Sequence, residues 1–133
     1  MSNPNIALVQ SMYAAFGRGD IATIIKNVTP QIEWQSGGRA EDFPTFGPRK
    51  GPQGVEQFFK EVAQHNEFAE FSPREFHADG DKVFVLGYYD IKLRANGKSF
   101  ASDWVHIFTI RDGKVAKFRE FLDSAAAAAA FRG

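Results

Sequence analysis

Three turn sequences cut the C-terminal half of the chain into strands. Asp79–Lys82, Asn96-Gly97 and Asp112-Gly113 carry Gly, Asn and Asp, which tolerate the positive φ of hairpin turns. Between them run extended segments at 68–78, 82–94, 98–111 and 114–122. The pattern is a meander of four antiparallel strands. A sheet built this way needs an apolar partner on one face, and three helical segments placed ahead of the meander supply it.

The first helix opens at Pro4, with Asn3 or Ser2 as its cap. Ile6, Val9, Met12, Tyr13 and Phe16 recur along it at helical spacing, and Gly17-Arg18-Gly19 ends it. Asp20 caps a short second helix carrying Ile21, Ile24, Ile25 and Val28, which Pro30 stops. Ile32 and Trp34 alternate with polar neighbours and predict a short strand. The segment from Ser36 to Gly51 is rich in Gly and Pro, holds Phe43 and Phe46, and reads as a lid or rim. Pro52 then opens a third helix with the stripe Val55, Phe58, Phe59 and Val62. Asp123 caps a last helix that runs through the alanines to Phe131. The expected fold class is α+β: a cone-shaped half-barrel whose curved, mostly antiparallel sheet wraps three N-terminal helices, with a short C-terminal helix. A chain of 133 residues is expected to form a single domain over 1–133.

Composition narrows the function. There is no cysteine, so disulfides and thiolate metal sites are excluded. A formal net charge of zero gives no electrostatic steering toward nucleic acid or anionic membranes. No apolar run approaches the ~20 residues of a membrane span, and Met1–Asn5 has no leader pattern, so a soluble, cytoplasmic protein is expected. Fourteen phenylalanines suit a large core, a pocket or an interface.

Hairpin register decides which face holds the pocket. Phe100, Ser102, Trp104, His106, Phe108 and Ile110 share one face, and Ala101, Asp103, Val105, Ile107 and Thr109 the other. A two-residue turn at Asp112-Gly113 sets Val105 beside Glu120, whereas a three-residue loop, Arg111-Asp112-Gly113, sets His106 there. The longer loop is preferred because it keeps Lys117 and Arg119 out of the core. The Asn96-Gly97 hairpin, read as a two-residue turn, puts Leu93, Ile91 and Tyr89 on the face of Phe100, Ser102 and Trp104. The predicted pocket wall is Tyr89, Ile91, Trp104, His106, Phe118, Glu120 and Leu122, closed by Met12, Phe16, Trp34 and Phe59.

Glu120 is the most informative residue of that wall. A carboxylate on an apolar face is costly to bury unless paired, protonated or wet. It serves proton transfer in a dry pocket, or it touches water at the sheet end as a structural group. His106, within cross-strand reach, could with Glu120 relay a proton or polarise a carbonyl, Glu120 fixing the imidazole tautomer; a satisfied core histidine is the plainer alternative. Asp103 is the rival acid, entering the pocket only in the other register. Tyr89, Trp34 and Trp104 offer one hydrogen-bond donor each. His65 and His77 have no partner at metal-ligand spacing, so no metal is expected, and the Asn27-Val28-Thr29 sequon carries no weight without a secretory leader.

The run Trp104-Val105-His106-Ile107-Phe108-Thr109-Ile110-Arg111-Asp112-Gly113-Lys114-Val115, continued by Phe118-Arg119-Glu120-Phe121-Leu122-Asp123, follows Gly19-Asp20-Ile21, Ile32-Glu33-Trp34 and Gly51 before a helix. In this order the chain resembles the polyketide-cyclase-like (SnoaL-like) branch of the nuclear transport factor 2-like superfamily. The resemblance implies a cone-shaped barrel, usually dimeric through the sheet, with a deep apolar pocket. Members include ketosteroid isomerases, aldol cyclases, epoxide hydrolases, dehydratases and non-catalytic proteins. Cyclase-type members have a histidine on the penultimate strand and an acid on the last, positions matched by His106 and Glu120. The ketosteroid isomerase pattern is not met: its helix-borne tyrosine falls at Met12 and its base at Trp34. The expected activity is isomerase, cyclase or lyase chemistry without a cofactor, on a small apolar or aromatic molecule, with Glu120 as general acid/base and His106 orienting it or polarising a substrate carbonyl. The alternative is a non-catalytic ligand-binding or dimerisation module. A homodimer is the expected assembly.

Overall fold

The computed structural model describes residues 3–133. Helices α1 (Pro4–Gly17), α2 (Ile21–Lys26) and α3 (Gly51–His65) precede or interrupt the sheet, and α4 (Ser124–Arg132) follows it. The strands are β1 (Val28–Ser36), β2 (Gly47–Lys50), β3 (Asn66–Asp79), β4 (Lys82–Leu93), β5 (Ser99–Arg111) and β6 (Lys114–Leu122). They form one six-stranded sheet in the order β2-β1-β6-β5-β4-β3. Every pairing is antiparallel except β1 with β6, which is parallel. This is the α+β fold expected of three helices and a long meander.

Local chemistry explains the helix boundaries. Asn3 caps α1, its Oδ1 accepting from the N–H groups of Asn5 and Ile6 at 2.9 and 3.2 Å; Ser2, the alternative cap, lies outside the described residues. Asp20 caps α2 and Asp123 caps α4 in the same way, by accepting from Thr23 and Ala126. The apolar stripes go inward: Val9, Met12 and Ala15 of α1, Ile24 of α2, and Val55, Phe58 and Val62 of α3 are buried. Val28 is a correction. It belongs to β1, paired with Val115, because α2 already ends at Lys26 and the Asn27 carbonyl accepts from Val115 N–H at 2.8 Å.

The Ser36–Gly51 segment is part of the core. Phe43 and Phe46 are 2% and 4% exposed and pack on each other at 5.0 Å, with Phe43 also against Phe100 and Phe131. Each buried ring is worth ~1.5–3 kcal/mol, which seats the segment against the sheet. It also contains β2, absent from the sequence reading because Pro48, Arg49 and Lys50 mask a short edge strand.

Both hairpins in question differ from expectation. The Asn96-Gly97 turn is a four-residue loop, Arg94–Gly97, closed by Leu93 N–H donating to Lys98 O at 2.8 Å. The shift is by an even number of residues, so Tyr89, Ile91 and Leu93 still share the buried face with Phe100, Ser102 and Trp104. At the other hairpin the three-residue loop is overturned. Arg111 pairs with Lys114 across a two-residue turn, with Asp112 at φ 53° and Gly113 at φ 77°. A β-bulge then intervenes: Ile110 pairs with Val115 but Thr109 pairs with Lys117, leaving Ala116 as the extra residue. The bulge restores what the short turn takes away, and His106 faces Glu120.

Candidate active site

The inner faces of β4, β5 and β6, with β1, α1 and α3, enclose an apolar cavity. Met12, Phe16, Trp34, Phe59, Tyr89, Ile91, Phe118 and Leu122 line it, as do His106 and Glu120. Trp104 is the exception among the expected wall residues. It is buried on the same face but does not line the cavity; its ring lies over Gly87 and stacks under His106 at 3.9 Å. Asp103, the rival acid, pairs with Tyr88 and is exposed on the outer face.

His106 sits at the centre of a buried chain of polar groups. Its Nε2 is 2.7 Å from Glu120 Oε2, and its Nδ1 is 2.6 Å from the Tyr13 hydroxyl. Glu120 Oε1 accepts from Ser36 Oγ, and Oε2 receives a longer bond, 3.4 Å, from the Tyr89 hydroxyl. The parallel pairing of β1 with β6 sets Ser36 opposite Glu120. Aromatic rings fix the imidazole: Trp104 stacks on it within 19° of parallel, and Phe118 meets it edge-on at 4.9 Å.

Burial pushes the Glu120 carboxyl up, but the imidazole beside it and the Ser36 and Tyr89 hydroxyls outweigh burial and hold it below the ordinary carboxylate range. An ionised carboxylate only accepts, so Nε2 carries a proton. With a neutral ring, Nδ1 then presents its lone pair to Tyr13, whose hydroxyl donates. Burial, and secondarily the Glu120 charge, raises the Tyr13 phenol well above its ordinary value, so it stays protonated. The result is a carboxylate, an imidazole of set tautomer and a phenol in line, which is the ordering logic of a catalytic triad with a phenol at its end.

Tyr13 and Ser36 were not singled out as site residues by sequence, yet both left a signal. Tyr13 stands on the apolar stripe of α1, one residue after the Met12 where the resemblance places the isomerase tyrosine. Ser36 continues the Ile32–Trp34 alternation onto the same face. Asn66, which also lines the cavity, continues the α3 stripe four residues beyond Val62. Among the described residues, no three or more His, Cys, Asp or Glu side chains are grouped to hold a metal ion, and no helix is long and apolar enough to cross a membrane.

Comparison with known proteins gives the family. The SnoaL-like domain model matches residues 9–118. An NTF2-like protein from Burkholderia xenovorans LB400 is 29% identical, with a TM-score of 0.88 over 98% of this chain and 97% of that one. The structure of TerC co-crystallised with polyporic acid is 28% identical, with a TM-score of 0.85 over 98% and 100% of the two chains. An NTF2-like protein from Burkholderia pseudomallei K96243 has the same fold, with a TM-score of 0.89 at 24% identity over 99% and 100% of the two chains. No curated protein matches the chain in sequence. The family match over most of the chain and the shared fold make this protein a member of the SnoaL-like domain family.

Proposed function

We propose that the cavity is the active site of an enzyme of isomerase, cyclase or lyase type that moves a proton on a small, largely apolar or aromatic carbonyl compound, with no cofactor. The observation that carries this is the Glu120–His106–Tyr13 chain, buried in a wall otherwise built of rings and aliphatic side chains. His106 and Glu120 are the catalytic pair in this reading, and of the two roles the sequence offered Glu120, general acid/base or anchor of the imidazole tautomer, the second fits its bonding. Glu120, already bonded to three donors, holds the imidazole tautomer and balances its charge. His106 Nδ1 is the base. The Tyr13 hydroxyl, which otherwise donates to Nδ1, turns to the substrate carbonyl oxygen and frees the Nδ1 lone pair to take the α-proton. The C–H electron pair moves through carbon onto that oxygen as an enolate. TerC, similar at 28% identity, was co-crystallised with polyporic acid, which supports a small organic molecule as occupant.

The test is α-proton exchange. A bound aryl methyl ketone, 4-acetylbiphenyl, is incubated with protein in D2O, and loss of its methyl signal is followed by proton NMR. Wild type should accelerate exchange, and His106→Ala should lose ~10²–10⁴-fold. Exchange no faster than in buffer, from protein shown to bind the ketone, removes the catalytic reading.

A specific observation favours the second reading, a ligand-binding module without chemistry. The three donors on Glu120 are also what a structural buried carboxylate needs. The exchange assay separates the two, since a binding module takes up the ketone and leaves its protons alone.

We also propose that the protein forms a homodimer through the outer sheet face. Leu86 and Phe121 are 37% and 47% exposed there, and both pair with Val105 across β4, β5 and β6 to form an apolar row.

A further inference from the structure

Asn66 is, with Thr45 and the Trp34 indole, one of the polar groups of the cavity that the proton-transfer chain does not use, and it supplies the unpartnered acceptor among them. It lines the cavity, is 6% exposed, and its Oδ1 has no hydrogen-bond partner. Its backbone is occupied otherwise: the N–H ends α3 by donating to Val62 O. A buried carbonyl oxygen without a donor costs free energy, and a native fold that keeps one in a pocket wall has a use for it. Leucine would fill the same space without that cost.

Its place in the sheet sets it far from His106. Asn66 begins β3 beside Glu67, which is level with Lys92 and Ser99. His106 lies seven residues along β5 from Ser99, so the strand contour of roughly 23 Å, at ~3.3 Å per residue, is the upper limit of a span that the sheet's curvature and the two side chains shorten. The same cavity therefore has a proton-transfer group toward one end and an unsatisfied acceptor toward the other. The wall between them, including Phe16, Phe68, Phe71, Tyr89 and Ile91, is aromatic or aliphatic.

We propose that Asn66 is a specificity residue, which accepts a hydrogen bond from a hydroxyl on the far end of an elongated aromatic substrate whose carbonyl lies at His106. The substrate class is a two-ring or longer aryl ketone bearing a distal hydroxyl. This rests on the cavity being the substrate site, as proposed above, but not on catalysis at His106. A hydroxyl that meets the vacant acceptor exchanges one hydrogen bond to water for another, and it also removes the protein's own unsatisfied group. An analogue lacking the hydroxyl leaves that group orphaned, so discrimination exceeds the worth of an ordinary hydrogen bond.

The experiment compares two probes that differ by one oxygen, 4-acetylbiphenyl and 4-acetyl-4′-hydroxybiphenyl, by calorimetric titration. Wild type should bind the hydroxy compound at least about tenfold more tightly. Asn66→Leu should erase the preference and melt at the same or a higher temperature, because it removes the orphaned carbonyl. Equal binding of the two probes by wild type, binding of neither, or an undiminished preference in Asn66→Leu overturns the proposal. The wild-type comparison needs no variant, so a folding defect in Asn66→Leu cannot rescue or sink it. The titration is read apart from ketone exchange: a wild type that exchanges the ketone but binds both probes equally refutes the role of Asn66 alone, and a wild type that keeps the preference without exchange refutes the catalytic reading alone.

Discussion

His106 Nε2 and Glu120 Oε2 lie 2.7 Å apart, each buried, on residues that face each other directly across β5 and β6. This contact makes stability depend on acid. The folded-state pKa of Glu120 is depressed, while the unfolded residue titrates near ~4.3. Its contribution is fully present above the unfolded value and is lost as pH falls through 4.3 toward the lower folded value, because there the unfolded chain binds more protons. Glu120→Gln removes that dependence. The variant should be less stable than wild type at pH 7 by ~1–3 kcal/mol, since Ser36 and His106 lose a charged acceptor. The gap should narrow between pH 5 and pH 3. Parallel melting curves for the two proteins across that range would refute the assignment.

Tyr13 and Tyr89 should resist alkali. Burial raises both phenols, and the Glu120 charge adds to it. Folded-state values above the unfolded ~10 mean that their stabilisation is complete below pH 10 and declines as pH rises beyond it. The chain has three tyrosines. Absorbance at 295 nm should therefore show at most one tyrosine ionising before the fold is lost. Tyr13→Phe should leave stability within ~1.5 kcal/mol of wild type, because the ring keeps its packing against Phe71, Phe76 and Trp104. The same variant should slow ketone exchange ~10²-fold. An unchanged exchange rate would show that the phenol donates to Nδ1 without serving the substrate.

The placement of this site shows what a sequence can reveal. Helix stripes and caps were legible because they are local: Asn3, Asp20 and Asp123 each satisfy N–H groups within three residues. The pocket face was legible because lysine and arginine avoid a core, which excluded Lys117 and Arg119 from it. The means by which Glu120 reaches that face was not legible. It depends on a short turn and on a bulge at Ala116, and the only trace of the bulge is the pair of adjacent buried residues Val115-Ala116 opposite Thr109-Ile110. The Tyr13–His106 and Ser36–Glu120 bonds join residues 93 and 84 positions apart, which no local spacing encodes.

The outer row of Leu86, Val105 and Phe121 gives a prediction about assembly. Arg119 covers the Phe121 ring from one side at 4.6 Å, yet the ring remains nearly half exposed. If this face is the dimer interface, Leu86→Asp with Phe121→Glu places like charges across it and should yield monomers. Neither side chain contributes to the cavity, so ligand binding should survive. Sedimentation velocity on wild type and the double variant checks the claim; a monomeric wild type at tens of micromolar would refute it.

Gly87 holds the site from behind. It pairs with Trp104 across β4 and β5, and a Cβ there would lie 2.2 Å from the indole Cζ2 and 2.5 Å from Cη2. The backbone φ is not positive, so alanine suits the strand itself and the obstacle is the indole alone. Trp104 in turn stacks under His106 at 3.9 Å. Gly87→Ala should therefore push the indole toward the imidazole and disturb its bonds to Tyr13 and Glu120. The expected cost is ~1–3 kcal/mol, typical of overpacking, with displaced imidazole NMR signals and slower ketone exchange. Gly17→Ala is the control: no atom lies within 4 Å of the added methyl and the residue is helical, so stability should rise by up to ~1 kcal/mol with the imidazole unmoved. If Gly87→Ala melts like wild type with His106 signals in place, the Trp104 ring does not set the imidazole, and the hydrogen bonds alone must do so.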